Sequence, residues 1–252
     1  MQKQFDDDGD NDDLDVKQFK VIFLGDGAVG KTSIIMRFTK DHFDPEQRYK
    51  QTIGLDFFLK QLQITEKLQV SLQCWDIGGQ TIGQKMIKNY LRGSNAILFV
   101  YDITNQSSFQ NLENWMTFVK EVFPESEKQP YMALIGNKTD LGYQRKVSVE
   151  EHSAFADKYG IRFFYMSART GDNVLPAMIK VASDLADVKK PYVEIEREAM
   201  AASVATIQRD HETTIDGKTS DDIIASSSQP SKGNKESKSK DKKSGKEKCI
   251  IL

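Results

Sequence analysis

Gly25-Asp26-Gly27-Ala28-Val29-Gly30-Lys31-Thr32 is the stretch that decides the fold of this chain. It fits the pattern G-x-x-x-x-G-K-S/T, in which a glycine-rich loop joins a strand to a helix. Both contexts are present, because the apolar run Val21 to Leu24 precedes the loop and an apolar-periodic segment, Ser33 to Phe38, follows it. The stretch predicts a phosphate-binding loop whose backbone N–H groups surround a polyphosphate, with Lys31 neutralising its oxygens and the Thr32 hydroxyl ligating Mg²⁺.

The pattern beyond this loop predicts a mostly parallel α/β sheet. Continuous apolar runs at 96–101, 132–135 and 162–166 are typical of strands that are buried on both faces, and helical patterns lie between them. Two strand-like segments around Thr65-Glu66-Lys67 instead predict a hairpin, which adds one antiparallel edge strand. We therefore expect the P-loop NTPase fold, with a mostly parallel six-stranded sheet and helices on both faces.

Several local signals mark helix ends. Ser107-x-x-Gln110 and Ser148-x-x-Glu151 have the spacing of capping boxes, and Gly160 stands where a left-handed C-cap is expected. The segment 193–207 has apolar residues at 193, 200, 204 and 207. That spacing fits either a weak amphipathic helix or coil, and the sequence leaves the choice open.

Charge is concentrated at the two ends of the chain. The 252 residues include 35 Lys and Arg against 37 Asp and Glu, for a net charge of −2. Seven aspartates lie in residues 1–15 and eight lysines in residues 232–252, so the middle is close to neutral and no nucleic-acid partner is expected. The composition predicts an acidic disordered N-terminus (1–16), one folded domain (17–190) and a flexible tail (191–248) that is polybasic from 232.

Nothing in the sequence predicts a membrane-spanning segment. The longest apolar run, Ala96 to Tyr101, is far shorter than the ~20 residues that span a bilayer. The acidic N-terminal run also excludes a secretory signal. Cys74 and Cys249 show no metal or disulfide spacing, which fits a reducing compartment. We expect a cytoplasmic protein.

Polar segments follow the predicted strands. Asp76 ends one strand, where a carboxylate can hold Mg²⁺ through water, and in the following Gly79-Gln80 the glutamine can orient an attacking water. Asn137-Lys138-Thr139-Asp140 and Ser167-Ala168-Arg169 follow two further strands. Because open α/β sheets bind ligands at the carboxyl ends of their strands, these segments are expected to share one site.

Together these segments resemble the Ras superfamily of small GTPases over residues 18–190. Thr52-Ile53-Gly54-Leu55-Asp56-Phe57 and Phe99-Val100-Tyr101-Asp102-Ile103-Thr104 are similar to segments of its Rab branch. The resemblance implies a switch that binds GTP, hydrolyses it to GDP and phosphate, and acts in membrane traffic. One stretch departs from the family pattern, since Asp76-Ile77-Gly78-Gly79-Gln80 stands where Asp-Thr-Ala-Gly-Gln is usual.

The resemblance also implies how the base is read. Asp140 would accept hydrogen bonds from the guanine ring N–H and exocyclic amine, which favours GTP over ATP. Asn137 would brace the loop, Lys138 would lie over the base, and the Ala168 N–H would meet the guanine carbonyl. Phe43 matches the aromatic residue that packs on the base, although a core position at the helix end is the alternative. The full set of expected nucleotide contacts is Gly25, Asp26, Gly27, Ala28, Val29, Gly30, Lys31, Thr32, Ser33, Phe43, Thr52, Gly79, Asn137, Lys138, Asp140, Ser167, Ala168 and Arg169.

Two loops are expected to respond to the γ-phosphate. Thr52 matches the switch I threonine that touches this phosphate, and Gly79 matches the glycine whose N–H contacts it. The expected magnesium ligands are Thr32, Thr52 and Asp76. Lys31 and Gln80 would be the catalytic groups. Arg48 is the nearby candidate for an arginine finger, but its spacing favours a solvated loop charge, so slow intrinsic turnover is expected.

The C-terminus predicts a lipid anchor. Cys249-Ile250-Ile251-Leu252 fits the C-a-a-X pattern for prenylation of Cys249, and a final leucine favours geranylgeranyl over farnesyl. One lipid chain anchors only marginally, and the lysines from 232 onward add attraction to an anionic leaflet. We expect a peripheral protein on the cytoplasmic face of an endosomal, vesicular or plasma membrane. The single cysteine departs from the two that most Rab proteins carry.

The implied partners are those of a monomeric switch: a guanine-nucleotide exchange factor, a GTPase-activating protein, effectors that read both switch loops and a prenyl-binding chaperone. Two other function classes are alternatives. A P-loop kinase or ATPase would need a phosphoryl-acceptor site and a lid. A nucleotide-locked scaffold with little hydrolysis would need the loss of Lys31, Thr32 or Gln80, and all three are present.

Overall fold

A single mixed sheet lies at the centre of the part of the chain that the computed structural model describes, which is residues 14–45, 52, 54–78, 84–124 and 126–201. Its strands are β1 (Asp15–Leu24), β2 (Leu55–Thr65), β3 (Leu68–Ile77), β4 (Ala96–Asp102), β5 (Tyr131–Asn137) and β6 (Arg162–Met166). The helices are α1 (Lys31–Lys40), α2 (Gln84–Leu91), α3 (Gln106–Gln110), α4 (Leu112–Val122), α5 (Val149–Tyr159), α6 (Val174–Leu185) and α7 (192–201), with a 3-10 helix at Thr139–Gln144.

The sheet has the strand order β2-β3-β1-β4-β5-β6. β2 and β3 are antiparallel, and the other neighbouring pairs are parallel. The predicted fold class and hairpin are therefore confirmed. Because β1, β3, β4, β5 and β6 point the same way, the loops after their carboxyl ends lie along one edge of the sheet.

Helices cover both faces of the sheet, and alternation along β1 shows how. Val21 and Phe23 belong to one core cluster, whereas Ile22 and Leu24 belong to the other. The first cluster packs against α1 and α6, and the second against α2, α4 and α5. Since successive side chains of a strand point to opposite faces, a strand that is apolar throughout is buried on both.

The helix-end predictions have mixed outcomes. Ser148 and Glu151 form the expected capping box at α5, and Gly160 ends that helix with φ 62°. The prediction of a capping box at Ser107 is wrong. The side chain of Asn105 caps α3 instead, by accepting from the backbone N–H groups of Ser107 and Ser108, and an asparagine is as good an N-cap as a serine.

Residues 192–201 are helical, and the apolar stripe predicted for this segment is wrong. Val193 is 75% exposed and Met200 is 69% exposed, whereas Ile195 and Ala199 are buried. A position four residues along a helix lies on the same face, so the buried face runs through 195 and 199. Residues 204 and 207, like the lysine-rich segment and Cys249, lie outside the described residues. Every helix of the described ranges is too short or too polar to cross a bilayer.

Candidate nucleotide-binding site

Close neighbours shape the loop between β1 and α1. Gly25 has φ 142° and Gly30 has φ 98°, conformations that favour glycine. A Cβ at Gly25 would lie 2.1 Å from the carbonyl oxygen of Val100, and one at Gly30 would lie 2.3 Å from Nδ2 of Asn137. The N-cap of α1 makes no side-chain hydrogen bond. The helix begins at Lys31, so its first N–H groups are available to an anion.

Lys31 is a buried cation in this loop, only 7% exposed. Its Nζ donates to the carbonyl oxygens of Gly25 at 2.8 Å and Asp26 at 2.7 Å. Burial lowers the pKa of Lys31 to about 8, although attraction to Asp76 and Asp26 acts in the opposite direction. A polyphosphate bound here would compensate the charge that the protein desolvates.

Three side chains from separate parts of the chain converge beside Lys31. Thr32 Oγ1 donates to Asp76 Oδ2 at 2.5 Å and lies 2.9 Å from Thr52 Oγ1. Thr52 Oγ1 also donates to Asp76 Oδ2 at 3.3 Å. The structure thus places the three predicted magnesium ligands in one cluster.

The environment of Asp76 fits a divalent cation. The residue is fully buried, and its Oδ1 has no hydrogen-bond partner within the described ranges. Burial raises the pKa of Asp76, while hydrogen bonds from Thr32 and Thr52 and the charge of Lys31 lower it. A buried carboxylate oxygen without a partner costs free energy that a hard cation would recover, and hydroxyl and carboxylate oxygens are the ligands that Mg²⁺ prefers.

Asn137 connects the predicted phosphate side of the site, in the loop after β1, to the predicted base side, in the loop after β6. It is buried at the end of β5. Its Nδ2 donates to the carbonyl oxygen of Val29 at 2.8 Å, and its Oδ1 accepts from the N–H of Ala168 at 3.1 Å. One side chain therefore holds the phosphate loop and the loop after β6 together, which agrees with the bracing role expected for it.

The residues predicted to bind the base lie around Asp140. Ser167 Oγ donates to Asp140 Oδ1 at 2.7 Å, and Arg169 forms a 3.7 Å ion pair with Asp140 Oδ2. Lys138 has φ 69°, and its Nζ donates to the carbonyl oxygen of Ala28 at 2.9 Å and pairs with Asp102 Oδ2 at 2.6 Å. These contacts orient the side chains of Asp140 and Lys138.

The remaining predicted nucleotide contacts either have other partners in the structure or lie outside the described residues. The Ala168 N–H donates to Asn137, so a guanine carbonyl would have to share this donor. Phe43 is partly buried and packs against the core cluster beneath α1 and α6, which is what the alternative interpretation of this residue expects. Its contact with a base stays a prediction. Gly79 and Gln80 lie outside the described residues, as does Arg48.

Several supporting residues were not predicted from the sequence. Arg37 on α1 donates to the carbonyl oxygens of Ala168 at 3.1 Å and Arg169 at 2.8 Å, and no sequence signal marks it. Asp26 Oδ1 accepts from Asn111 Nδ2 at 2.6 Å and from Trp115 Nε1 at 2.9 Å. These side chains fix the two loops from outside, as supporting residues of binding sites commonly do.

The fold and this loop define the class of the protein as a P-loop nucleotide hydrolase. Comparison with known proteins gives the family. Residues 20–187 match the Ras family. Ras-related protein Rab-28 of Caenorhabditis elegans is 41% identical over 199 residues, which are 79% of this chain and 79% of that protein. Ras-related protein Rab-13 of Bos taurus is 40% identical over 167 residues, 66% of this chain and 79% of that protein, and Rab-13 of Mesocricetus auratus has the same identity and coverage.

The chain belongs to the Ras family, in its Rab branch, and is a GTPase that hydrolyses GTP to GDP and phosphate. The predicted family is thereby confirmed. Within the Rab branch, the run from Trp75 to Thr81 predicts a resemblance to the Rab-28 type, and the nematode relative is of that type.

Proposed function

We propose that this protein is a membrane-anchored switch in vesicle traffic, which recruits effectors when GTP is bound and returns to the GDP state by slow hydrolysis. The position of Thr52 carries the proposal. Thr52 lies between α1 and β2, outside the sheet, yet its hydroxyl lies 2.9 Å from that of Thr32 in the phosphate loop. A loop residue held at the phosphate end can respond to the presence of the γ-phosphate.

Thr32, Thr52 and Asp76 hold Mg²⁺ in this proposal. When bound, Mg²⁺ neutralises charge on the β- and γ-phosphate oxygens. Lys31 would exchange its contacts with loop carbonyl oxygens for contacts with phosphate oxygens. The open N–H groups at the start of α1 bind the same phosphates, so the triphosphate is held by charge and by backbone dipoles together.

Asp140 selects the base. Its carboxylate is held by Ser167 and Arg169, so the two oxygens are already directed when the nucleotide arrives. A base without the matching donors would leave this carboxylate desolvated and without partners, which costs about 1 to 3 kcal/mol. Lys138 covers the base with its stem, and Asn137 keeps the two loops at a constant separation.

Hydrolysis depends on Gln80 and Lys31. Gln80, which lies outside the described residues, orients the attacking water, and Lys31 stabilises the charge that develops on the phosphate oxygens. Because the spacing of Arg48 favours a solvated loop charge over an arginine finger, turnover stays slow until a GTPase-activating protein supplies further stabilisation.

Effectors contact exposed apolar side chains on β2 and α2, the strand and the helix that follow Thr52 along the chain. Phe57 and Leu59 on the edge strand β2 are half exposed, and Met86 on α2 is 54% exposed. The Phe57 ring packs edge-on against Trp75 with 5.7 Å between centroids, which orients the Phe57 side chain. Apolar side chains on an edge strand are normally covered, and β2 starts shortly after Thr52. A partner on this surface would therefore sense the conformation of switch I.

The anchor is the geranylgeranyl group proposed for Cys249, assisted by the lysines from 232 onward. Both lie outside the described residues, so this part of the proposal rests on the sequence. A prenyl-binding chaperone would carry the protein between membranes. Cys249→Ser should move the protein from the membrane fraction to the soluble fraction of a cell lysate, whereas Cys74→Ser, at a buried cysteine, should not.

One measurement tests the switch itself. The purified protein is denatured, the released nucleotide is identified, and phosphate release is followed in a single turnover with GTP and Mg²⁺. We expect bound guanine nucleotide and slow release that Gln80→Leu lowers further. Bound adenine nucleotide would favour the kinase or ATPase alternative. No phosphate release, even with an activating protein, would favour the nucleotide-locked scaffold.

A further inference from the structure

The last described helix, α7, makes a specific contact with the loop after β6. The hydroxyl of Tyr192 at the start of α7 donates a hydrogen bond to Oδ1 of Asn173. The Tyr192 ring also lies 5.9 Å from the ring of Phe164 in β6. Residues 20–187 match the Ras family, so this helix lies beyond the matched region.

Asn173 is the residue that closes this loop. It precedes α6 in a left-handed conformation, with φ 57°. Its Nδ2 donates to the carbonyl oxygen of Tyr165 in β6 at 2.6 Å. The side chain of Asn173 thus joins the end of β6, the start of α6 and Tyr192.

The loop that Asn173 closes contains the residues proposed to meet the base. The Ser167 N–H donates to the carbonyl oxygen of Asp172 at 3.0 Å, so the loop is compact. Ser167 Oγ then donates to Asp140, the proposed base-reading carboxylate. A continuous chain of contacts therefore runs from Tyr192 through Asn173 and the loop to Asp140.

We propose that Tyr192 is a positioning residue for the base-reading loop, and that the docking of α7 thereby supports the retention of guanine nucleotide. This inference rests on the proposed role of Asp140. α7 is docked on the domain through the fully buried Ile195, so it supplies a fixed support for Tyr192. Displacement of α7 would release Asn173, loosen the loop and speed the loss of nucleotide.

The test uses the full chain and the variant Tyr192→Phe, which removes only the hydroxyl. Release of a fluorescent GDP analogue should become about two- to fivefold faster, the scale of one neutral hydrogen bond. Tyr143→Phe is the matched control, because Tyr143 is 81% exposed. Ile195→Ala, which loosens the docking of α7, should also speed release. Unchanged release by Tyr192→Phe would overturn the proposal.

A second readout separates positioning from a general loss of stability. Inosine diphosphate lacks the exocyclic amine of GDP, so it makes one fewer contact with Asp140. If Tyr192 positions the loop, Tyr192→Phe should lower the preference for GDP over inosine diphosphate, whereas general destabilisation would weaken both nucleotides equally. An unchanged preference for GDP over inosine diphosphate would contradict a positioning role.

Asp140→Asn, measured in parallel, distinguishes failure of this inference from failure of the proposed site. If Asp140→Asn leaves the preference for GDP unchanged, the assignment of the base to Asp140 is wrong. If Asp140→Asn lowers the preference and Tyr192→Phe does not change release, only the coupling is wrong. Coupling is reciprocal, so bound GDP should also slow hydrogen exchange of the amides in 192–201.

Discussion

The phosphate side and the base side of the site differ in how their polar groups are satisfied. On the phosphate side, Lys31 is buried against backbone carbonyl oxygens and Asp76 Oδ1 has no partner in the described part of the chain. On the base side, Asp140 accepts from Ser167 and pairs with Arg169, and Asn137 uses both ends of its amide. The phosphate side therefore gains most from ligand binding, whereas the base side is already organised.

This difference implies that the phosphate side supplies affinity for the nucleotide and the base side supplies selectivity. Compensation of a desolvated lysine and carboxylate supplies affinity, because buried charges are costly until they are paired. Directed hydrogen-bonding groups supply selectivity, because a wrong base leaves them without partners. Substitutions on the two sides should have different signatures, and we order the resulting predictions by the size of the expected effect.

Lys31→Met, on the phosphate side, should cause the largest loss of nucleotide affinity. Loss of a buried charged contact to the phosphates should weaken GDP binding by about a thousandfold, measured by titration calorimetry or competition. The same variant should raise the free energy of unfolding of the nucleotide-free protein by about 1 to 3 kcal/mol at pH 7, because it removes a desolvated charge whose pKa is lowered. A variant that loses both affinity and stability would contradict this account of the phosphate side.

Asp140→Asn should change selectivity rather than stability. The affinity for GDP should fall by about 100-fold, because two donors of guanine lose a carboxylate acceptor. Inosine diphosphate should lose less, since it presents one donor fewer. Asp157→Asn, at an exposed position of α5, is the matched control and should leave both affinities unchanged. Equal losses of affinity for GDP and inosine diphosphate would contradict the proposed role of Asp140 in base selectivity.

Asp76→Asn should weaken the dependence on Mg²⁺. Removal of one carboxylate that supports the ion typically costs about 10- to 100-fold in metal affinity. The measurement is a titration of Mg²⁺ against nucleotide release, because bound Mg²⁺ should slow release. If wild type and Asp76→Asn respond to Mg²⁺ identically, Asp76 is not part of the metal site.

The pH dependence of GDP affinity should give the smallest effect. In the nucleotide-free protein, burial lowers the pKa of Lys31 to about 8, and bound phosphates should raise it again. Binding therefore takes up a proton above pH 8, and affinity falls as pH rises. Between pH 7 and pH 8.5 the dissociation constant should increase about fourfold. Lys31→Met should show no such dependence.

Most of the fold could be predicted from the sequence because its signals are local. The apolar runs of β1, β4, β5 and β6 and the hairpin around Thr65-Glu66-Lys67 depend on periodicity within a few residues. Local signals also mislead where two residues compete for one role. Asn105 and Ser107 are both good caps, and only the backbone path decides that Asn105 caps α3. In α7, the apolar residues Val193 and Met200 are exposed, and the docking geometry buries Ile195 and Ala199 instead.

The site was predictable to the extent that it follows motifs. The glycine-rich loop, Asp76 and Asn137-Lys138-Thr139-Asp140 lie together as their positions after parallel strands imply. Arg37 and the Asn173–Tyr192 contact follow no motif, because each joins residues that are distant in sequence or outside the matched family region. The placement of Thr52 beside Thr32 and Asp76 agrees with the switch I position that the resemblance implied.

The sequence by itself determined the class of protein, since a strand, a loop of the form G-x-x-x-x-G-K-T and a helix can be recognised without any long-range contact. Only the tertiary structure decided how charged groups of that loop are balanced. The charge of the buried Lys31 is balanced by attraction to Asp76 at the end of β3 and by the loop carbonyl oxygens that accept from its Nζ. The hydrogen bond from Tyr192 of α7 to Asn173 likewise depends on packing. Periodicity along a chain specifies which faces are apolar, whereas desolvation and hydrogen bonding between distant residues exist only once those faces have met.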